Sequence, residues 1–469
     1  MTGLSGLVIS LLLLMFLAYR GMSVIVLAPV LAMLAVAFSG GEIPMLAAYT
    51  QIFMPALGKF IIMFFPVFLL GAIFGKLMEE SGYAASIADG ISSTLGSRHA
   101  ILAVVLCCAV LTYGGVSLFV IAFAIFSLAT QLFQTADIPR RLIPGAIALG
   151  SGTFTMTALP GTIQIQNLIP MPYFRTTAYA APVLGIIAAL CMFTLGMLWL
   201  NYRARAAARQ AEGYATEGYG PILERKPPTG AEEPMPPFTL ALAPVICVLV
   251  CNYLCSQWWI PTWPSEYLST ERFGNVALKD VLGLWSSILA LIAACVLLLV
   301  CSSRCRRRLN ESLKIASMGS LLPVFNTASE VGYGAIIAAL PAFTIVRNSV
   351  LNIAPNNPLI SEAVAVNVLA GITGSASGGL GIALGSLGET YYKLAIQHGI
   401  SPEVMHRVAS IASGGLDSLP HNGAVITLLT ICGLTHKQSY LDIGVVTVLV
   451  PLVALVVVIT LASLNFPWL

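Results

Sequence analysis

Four short clusters of polar residues interrupt a chain that is otherwise strongly apolar, and they hold the residues that could bind a ligand. The clusters cover residues 112–117, 150–167, 374–379 and 413–423, and each combines glycine or proline with Ser, Thr, Asn or Gln. Because proline removes a backbone donor and glycine weakens a helix, helices that run through these clusters should break. A helix N-terminus that begins after a break carries partial positive charge and attracts anions. The clusters therefore predict an anion-binding site.

The residue types in the clusters suit a carboxylate that also carries hydroxyl groups, since amides and hydroxyls form hydrogen bonds with both. The candidate substrate-binding residues are Gly114, Gly115, Ser117, Thr155, Thr157, Gly161, Thr162, Gln164, Asn167, Ser375, Ser377, Gly378, Gly379, Ser418, His421 and Asn422. For a single cluster, close packing of helices through Gly and Ser is an alternative explanation. Four clusters that pair between the two halves of the chain favour a binding site.

Three ionisable residues are candidates for binding the coupling ion, namely Asp417, His421 and Glu330. Ionisable residues are rare in apolar stretches, which makes each one informative about function. A helix cap, an interfacial position and a structural hydrogen bond are the respective alternative roles. Histidine or a dehydrated carboxylate suits a proton, and carboxylate, carbonyl and hydroxyl oxygens suit Na⁺ equally well, so both ions stay open. Glu362 and Glu389 are expected to be solvated or to cap helices.

Basic residues and cysteines limit the chemistry further. No arginine is predicted inside a span away from its ends, and Lys59 is the one candidate lysine, with a side chain long enough to reach the membrane surface. A site built from helix ends without an arginine favours a small monoanion over a tricarboxylate. Ten cysteines and five histidines show no spacing typical of a metal site or a disulfide framework, so no metal or cofactor is expected.

The elements that must position these clusters are membrane-spanning helices. The chain has 469 residues, of which 58% are hydrophobic and 9% charged, whereas soluble domains carry roughly 25% charged residues. Two apolar stretches, 99–133 and 361–397, are broken by glycine and are predicted to be re-entrant hairpins, and two full crossings for each would fit equally well. Apolar runs long enough for a bilayer predict spans at 4–20, 23–38, 51–76, 142–169, 178–200, 238–256, 281–303, 318–345, 404–431 and 442–463.

The distribution of basic residues predicts the orientation of the chain in a bacterial inner membrane. Residues 201–236 form a polar, proline-rich linker between the halves 1–200 and 237–469. With this linker in the cytoplasm and each hairpin crossing an even number of times, the strongest basic positions all fall inside. These positions are Arg20, Arg140, Arg141, Arg304, Arg306, Arg307 and Arg308. Both termini are then predicted to be periplasmic.

A weak internal repeat relates the two halves. Its anchors are the positions 66, 114, 139 and 160, which correspond in order to 323, 378, 402 and 420. Five spans per half is an odd number, so the second half enters the membrane in the opposite orientation. Inverted repeats with broken helices are typical of secondary transporters that bind substrate near the middle of the bilayer. We therefore predict an all-α polytopic elevator-type carrier with two inverted repeats, each of five transmembrane helices and one re-entrant hairpin.

The segments 158–167 and 413–423 resemble those of the GntP-type gluconate permease family, within a larger ion-transporter superfamily, and are most similar to its hydroxybutyrate-permease-like branch. The resemblance implies uptake of sugar acids or short hydroxy acids, usually with protons. It also implies two hairpins, a dimeric scaffold and an elevator movement. The stretch from Thr157 to Pro160 departs from the histidine-proline pattern associated with gluconate carriers, so a shorter substrate such as 3-hydroxybutyrate is preferred to gluconate.

The predicted function is therefore secondary active transport, as a proton-coupled symporter of small organic monocarboxylates. A sodium-coupled or exchanging dicarboxylate carrier is the main alternative, and an anion channel is another. A membrane-embedded enzyme is disfavoured, because Asp417 has no evident second Asp partner and Ser418 with His421 has no third member. The expected partners are the organic anion, the lipid bilayer and a second copy of the chain, and nucleic acid is not expected.

Overall fold

The structure is a computed structural model that describes residues 2–20, 22–41, 43–116, 118–214, 236–420 and 422–464. Every regular element in these ranges is helical, and none of them contains a strand. This confirms the predicted all-α class. Of the predicted linker, residues 215–235 lie outside the described ranges, and the helix that precedes them continues to Arg209, beyond the predicted end of its span at 200.

The first half of the chain contains eight longer helices among its described residues. They are α1 (Thr2–Tyr19), α2 (Val24–Ala37), α3 (Met45–Glu80), α4 (Tyr83–Leu95), α5 (Ala100–Tyr113), α6 (Leu118–Thr135), α7 (Ile143–Gly152) and α8 (Pro182–Arg209). Three short helical turns lie between α7 and α8, at Phe154–Thr157, Ile165–Leu168 and Pro170–Phe174.

The second half repeats this order of elements. It contains α9 (Phe238–Leu254), α10 (Leu278–Cys301), α11 (Leu309–Ala339), α12 (Phe343–Leu351), α13 (Pro358–Thr373), α14 (Ala376–Gln397), α15 (Pro402–Ser413), α16 (Gly423–Cys432) and α17 (His436–Ser463). In both halves a pair of helices precedes one long helix, a short helix, a helical hairpin, a broken helix and a final long helix. The hairpins are α5 with α6 and α13 with α14.

Sequence patterns do not predict α4 and α12, which precede the two hairpins. The chain bends by 102° between α4 and the helical segment Ser97–Tyr113, and by 93° between α11 and α12. With 13 and 9 residues, both helices are too short to cross a bilayer. Each carries polar residues among its apolar ones, so neither produces the long apolar run by which spans are predicted.

The outer helices expose apolar side chains on the surface of the protein. Ile62 on α3 is 82% exposed, and Leu198 on α8 and Val300 on α10 are exposed to similar extents. By length and composition, five helices of the described chain could cross a membrane, or up to seven if each bent pair is counted as one span. The arms α5 and α13, with 14 and 16 residues, extend about 21 and 24 Å, less than the roughly 30 Å apolar layer of a bilayer.

Packing between the halves follows a matched pattern. The long helices α3 and α11 pack against each other, while α2 packs on α11 and α10 packs on α3. The second arm of each hairpin contacts the broken helix of the other half, so that α6 contacts α16, and α14 contacts the turns at 165–168 and 170–174. Hairpins and broken helices therefore form one interlocked core, in which the polar clusters meet.

Candidate substrate and ion site

The first broken helix loses its regular structure at residues 158–164, which we call the first break and which contain Pro160. Gly161 has φ +82°, a conformation that favours glycine, and its N–H donates to the carbonyl of Ala178 at 2.8 Å. A Cβ at this position would lie 2.6 Å from the ring of Tyr179. The chain therefore needs a glycine here to fold the break tightly against the segment that leads to α8.

The second broken helix is interrupted at residues 414–422, which we call the second break and which contain Pro420. Asn422 caps α16, since its Oδ1 accepts from the N–H groups of Ala424 and Val425 at 2.6 and 3.0 Å. Its side-chain amide donates to the carbonyls of Gly374 and Asp417, both at 2.9 Å. The predicted interruption of both helices is therefore confirmed, and Asn422 ties the second break to the second hairpin.

The first hairpin turns at Gly114 and Gly115, which we call the first tip, and this tip lies on the first break. The hydroxyl of Tyr113 donates to the carbonyl of Pro160 at 2.6 Å, and the amide of Gln164 donates to the carbonyl of Thr112 at 2.7 Å. Gly115 has φ +97° and packs on the side chain of Ile163. Gly114 lies against Val245 on α9. The tip therefore contacts the break of its own half directly.

The second hairpin turns at Gly374 and Ser375, which we call the second tip, and a buried acid lies beside it. Ser375 caps α14 by accepting from the N–H of Gly378 at 3.1 Å, and Gly378 lies against the carboxyl of Glu330 on α11. Glu330 is 3% exposed, and its Oε2 has no hydrogen-bond partner. That oxygen lies so close to Gly378 that any side chain there would displace it.

Two further residues of the second tip have defined neighbours. The hydroxyl of Ser377 lies 3.2 Å from that of Thr327 on α11. Gly379 packs on the backbone of the opposite hairpin arm at Ala370. Ser377 therefore joins Glu330 in the contact between this tip and α11, while Gly379 allows the two arms to approach each other.

The two breaks meet through α15. Ser410 on that helix donates to the carbonyl of Thr157 at 2.9 Å. A Cβ on Gly414, at the start of the second break, would lie 2.9 Å from Cγ2 of Thr157. The helix that leads into the second break therefore packs directly on the end of the first broken helix.

Arg407 on α15 is the functional-site residue that the sequence analysis misses. Its side chain is fully buried, and its Nε and Nη2 donate to the carbonyl of Ala180 at 3.1 and 2.7 Å. Its Nη1 donates to the carbonyl of Thr157 at 3.3 Å and to Oδ1 of Asn167 at 3.0 Å. Arg407 lies near the end of the predicted span 404–431, whereas the structure buries it in the middle of α15. The signal was present, as a charged residue three positions inside an apolar stretch.

Asn167 and His406 complete the network around Arg407. The amide of Asn167 donates to the carbonyls of Thr162 and Ala178 at 2.8 and 2.9 Å. His406 is fully buried, with its Nε2 3.2 Å from Oδ1 of Asn167 and its Nδ1 2.6 Å from the hydroxyl of Thr176. Every polar atom of the Asn167 side chain is therefore engaged with protein, and Asn167 holds the first break in shape.

The hydroxyls of the threonines in the first broken helix also form hydrogen bonds within that segment. Thr155 donates to the carbonyl of Gly150 at 2.8 Å, and Thr157 donates to that of Thr153 at 3.2 Å. The hydroxyl of Thr162 accepts from the N–H of Gln164 at 3.4 Å. All three threonines are buried. The hydroxyls of these three threonines are therefore engaged within the first broken helix, while Oγ1 of Thr112 and Oε1 of Gln166 nearby have no hydrogen-bond partner.

Asp417 lies half-buried in the second break, where its Oδ1 accepts from the hydroxyl of Ser418 at 3.1 Å. The carbonyl of Ser418 accepts from the hydroxyl of Tyr440 on α17 at 3.1 Å. The candidates Ser117 and His421 lie outside the described residues. The structure thus places Asp417 in the segment that Asn422 ties to the second tip, where Glu330 lies.

The two glutamates expected to be solvated or capping differ from each other. Glu389 on α14 is 67% exposed and lies 3.4 Å from Lys393, as a solvated residue does. Glu362 on α13 is fully buried, and neither of its carboxyl oxygens has a hydrogen-bond partner. The expectation is therefore wrong for Glu362, because tertiary packing of the hairpin closes over it.

Away from these clusters, a buried ion network joins the start of the first broken helix to α8 and α17. Asp442 is almost fully buried and accepts from Arg141 Nη1 at 3.0 Å, Arg203 Nε at 2.8 Å and Trp199 Nε1 at 3.1 Å. Arg141 also bonds Glu212 at 2.6 Å beyond the end of α8. This hydrogen bond lowers the pKa of Glu212.

An all-helical, apolar-surfaced fold with two hairpins and two broken helices defines a multi-pass membrane transport protein. The comparison with known proteins agrees, although no family model matches the chain. The chain is 46% identical over 467 residues, 97% of each protein, to the uncharacterized transporter YxjC of Bacillus subtilis (strain 168). It therefore belongs to the same family as YxjC, and it is a transporter rather than an enzyme.

Two solved structures share the fold. The YdaH transporter of Alcanivorax borkumensis matches with a TM-score of 0.55 at 15% identity, over 88% of each chain. MtrF of Neisseria gonorrhoeae, described as illuminating a class of antimetabolite efflux pumps, matches with a TM-score of 0.54 at 12% identity, over 94% of each chain. At these identities the likeness concerns the fold alone. The specific resemblance to the GntP-type family stays a prediction.

Proposed function

We propose that the protein is a proton-coupled secondary transporter of small organic monocarboxylates, of the 3-hydroxybutyrate or gluconate type. The observation that carries this proposal is the joining of the second tip to the second break beside Glu330. A buried acid with an unpartnered oxygen, a half-buried acid and two capped helix N-termini lie on these connected segments. Such a combination suits an anion and a cation that bind together and neutralise each other.

The state of Arg407 supports a monocarboxylate. An arginine that bound a second carboxylate would present free N–H groups in its fork geometry. The guanidinium of Arg407 instead donates to the backbone carbonyls of Thr157 and Ala180 and to Asn167. The helix N-termini at Ser375 and Asn422 are then the positive groups left to attract an anion, and together they match a single negative charge.

The surroundings of Glu330 support the proton as coupling ion. An ionised carboxylate that is buried without full hydrogen bonding is strongly unfavourable, whereas the neutral acid tolerates such a site. Glu330 is 3% exposed with Oε2 unpartnered, so it fits the site as a protonated acid. Asp417 is half-buried and offers a second carboxylate in the segment joined to the same tip. Na⁺ bound by Asp417 and neighbouring carbonyls is the alternative.

Transport in this proposal follows an elevator movement in the bacterial inner membrane. Hairpins and broken helices form the interlocked core that moves, while α1, α2, α9 and α10 belong to the scaffold and provide the contact of a homodimer. The second half has the opposite orientation to the first, the linker at 201–236 is cytoplasmic and both termini are periplasmic. The repeated order of elements and the matched packing of the halves support this arrangement.

Uptake into proteoliposomes tests the proposal. Purified protein is reconstituted, and radiolabelled 3-hydroxybutyrate, gluconate and succinate are supplied under an inward proton gradient, an inward sodium gradient or no gradient. We expect 3-hydroxybutyrate, and gluconate more weakly, to accumulate only under the proton gradient. Accumulation of succinate under the sodium gradient, or succinate exchange without any gradient, would instead identify the dicarboxylate carrier. Conductance without accumulation would identify a channel.

A further inference from the structure

Glu362 is a buried acid that the proposed site does not use. It lies in the second turn of α13, twelve residues before the tip at Gly374, which is about 18 Å along a helix. Its side chain is fully buried, and both carboxyl oxygens lack a hydrogen-bond partner. A carboxylate could not stay ionised in such a place, because nothing replaces its lost hydration. In this conformation the side chain therefore carries a proton.

No cation neutralises Glu362 in the described part of the chain. On α14, Tyr391 faces it and donates to or accepts from Ser361 at 3.0 Å, while Glu389 and Lys393 pair at the surface. On α15, His406 and Arg407 are engaged with the first break, and Glu403 accepts from the N–H of Ala181. The helix α12 contributes the exposed Arg347, which donates to the hydroxyl of Thr390 at 3.5 Å, and α17 presents no ionisable residue in its part at 450–463.

A pocket runs along the part of α13 that follows Glu362. It is lined by Ala365 and Leu369, one and two turns after Glu362, by Leu7, Ile337, Phe343 and Leu387 from four other helices, and by the charged Arg347, while Glu362 itself does not line it. The pocket lies between the hairpin and α1, α11 and α12, of which α1 belongs to the proposed scaffold. Packing along this face is therefore incomplete, and a displacement of the hairpin has room to change the surroundings of Glu362.

We propose that Glu362 is a second proton-binding site, which takes up a proton on one side of the membrane and releases it when the hairpin moves and water reaches it. This rests on the proposed function, since it requires a transport cycle in which the hairpin moves. The step is a simple protonation of a carboxylate and needs no other reactant. Its consequence is one transported proton in addition to any bound by Glu330 or Asp417.

The test compares Glu362→Gln with Glu389→Gln, a matched control on the exposed arm of the same hairpin. Proteoliposomes are loaded at clamped zero membrane potential with a pH gradient of about one unit, and the steady-state accumulation of 3-hydroxybutyrate is measured. Each coupled proton contributes about tenfold accumulation at this gradient. We expect Glu362→Gln to accumulate about tenfold less than wild type, with exchange of labelled for unlabelled substrate retained, and Glu389→Gln to match wild type.

Two results separate failure of this inference from failure of the proposed function. If wild-type accumulation follows the pH gradient and Glu362→Gln matches it, the second proton site is refuted while proton coupling stands. If wild-type accumulation ignores the pH gradient, both are refuted. Infrared spectroscopy adds a readout that requires no transport. Wild type at neutral pH should show a C=O band of protonated carboxylic acids that is weaker in Glu362→Gln, in which only the Glu330 contribution remains, and an equal band in the two proteins would overturn the inference.

Discussion

The first and second breaks occupy equivalent places in the two halves, yet their polar groups are in opposite states. Around the first break, a buried cation from the other half, Arg407, donates to the carbonyls of Thr157 and Ala180 and to Asn167. Around the second break, Glu330 keeps an unpartnered oxygen, and Asp417 accepts from a single neighbouring hydroxyl. Most polar groups around the first break are engaged with protein, with Oγ1 of Thr112 and Oε1 of Gln166 as exceptions, whereas the second break retains capacity for an ion.

This difference shows that a broken helix is not by itself a binding site. A break frees backbone groups, and those groups can be satisfied by the protein or by a ligand. Arg407 donates hydrogen bonds to acceptors beside the first break, so we expect this break to have a structural role. The second break is held by Asn422, Tyr440 and His436, and leaves Asp417 and the adjacent Glu330 to be neutralised by protons or cations. Variants at the two breaks should therefore separate stability from transport.

The largest expected effect is at Arg407. Replacing it with alanine removes the charged donor from the carbonyls of Thr157, Ala178 and Ala180 and from Oδ1 of Asn167. We therefore expect a loss of about 4 kcal/mol or more in the free energy of unfolding. Thermal unfolding in detergent, followed by size-exclusion chromatography, measures this. Arg407→Lys should recover only part of the loss, since an ammonium cannot reproduce the forked geometry. Arg347→Ala, at an exposed arginine, is the control. Equal stability of the two alanine variants would remove the contrast between the breaks.

A smaller effect is expected at Gly378. A methyl group there would overlap the carboxyl of Glu330, and overpacking of this kind costs about 1–3 kcal/mol. Gly378→Ala should therefore lower the melting temperature and abolish proton-driven accumulation. Gly385→Ala lies on the same helix, where a Cβ meets its nearest atoms at 3.9 Å, and should behave as wild type. If Gly378→Ala accumulates substrate normally, the position of Glu330 does not matter for coupling.

Asn422→Ala removes a helix cap and the hydrogen bond to Gly374. Loss of a cap costs about 1 kcal/mol, so melting temperature should fall slightly. Substrate affinity should fall more clearly, because the second tip is no longer tied to the second break. Asn357→Ala, at the half-buried cap of α13, is the matched control, with a similar loss of stability and normal affinity. Equal affinities in the two variants would show that the tie is only structural.

The smallest effect on stability is expected for Asp417→Asn, because the residue is half-buried and bonds one hydroxyl. We expect a change within about 0.5 kcal/mol. Accumulation driven by the gradient should nevertheless fall, because one coupled proton is lost, while exchange of labelled substrate persists. Both are measured in the same proteoliposomes. Normal gradient-driven uptake by this variant would remove Asp417 from the mechanism and leave the second break without its acid.

The sequence predicts the breaks and the tips well because their causes are local. Pro160 and Pro420 remove backbone donors, which interrupts the broken helices. Gly115 and Gly374 adopt positive φ, which allows the hairpins to turn. Both features therefore follow from residues at the positions themselves. The role of Arg407 has no local cause, since its acceptors lie more than 200 residues away in the chain. For the same reason the burial of Glu362 escapes prediction, because it depends on how the hairpin packs.

The candidate substrate-binding residues show the same difference between what local sequence predicts and what tertiary packing decides. Their types indicate hydrogen-bonding capacity, but the structure decides whether that capacity is free. The hydroxyls of Thr155 and Thr157 donate to carbonyls of their own helix, and the side-chain amide of Asn167 bonds Arg407 and neighbouring carbonyls. Polar residues in an apolar span therefore mark a break reliably and mark a ligand contact only where no protein partner reaches them.

The pH dependence of substrate affinity tests most directly whether the second break binds the ion. Affinity for 3-hydroxybutyrate is measured by calorimetry between about pH 6 and 8 in wild type, in Glu330→Gln/Asp417→Asn and in the Glu389→Gln control. Because the anion binds with a proton, wild-type and control affinity should fall as pH rises, by up to about tenfold per pH unit for one proton. The double variant should show weaker binding that no longer depends on pH. A double variant that keeps the wild-type pH dependence would contradict the assignment.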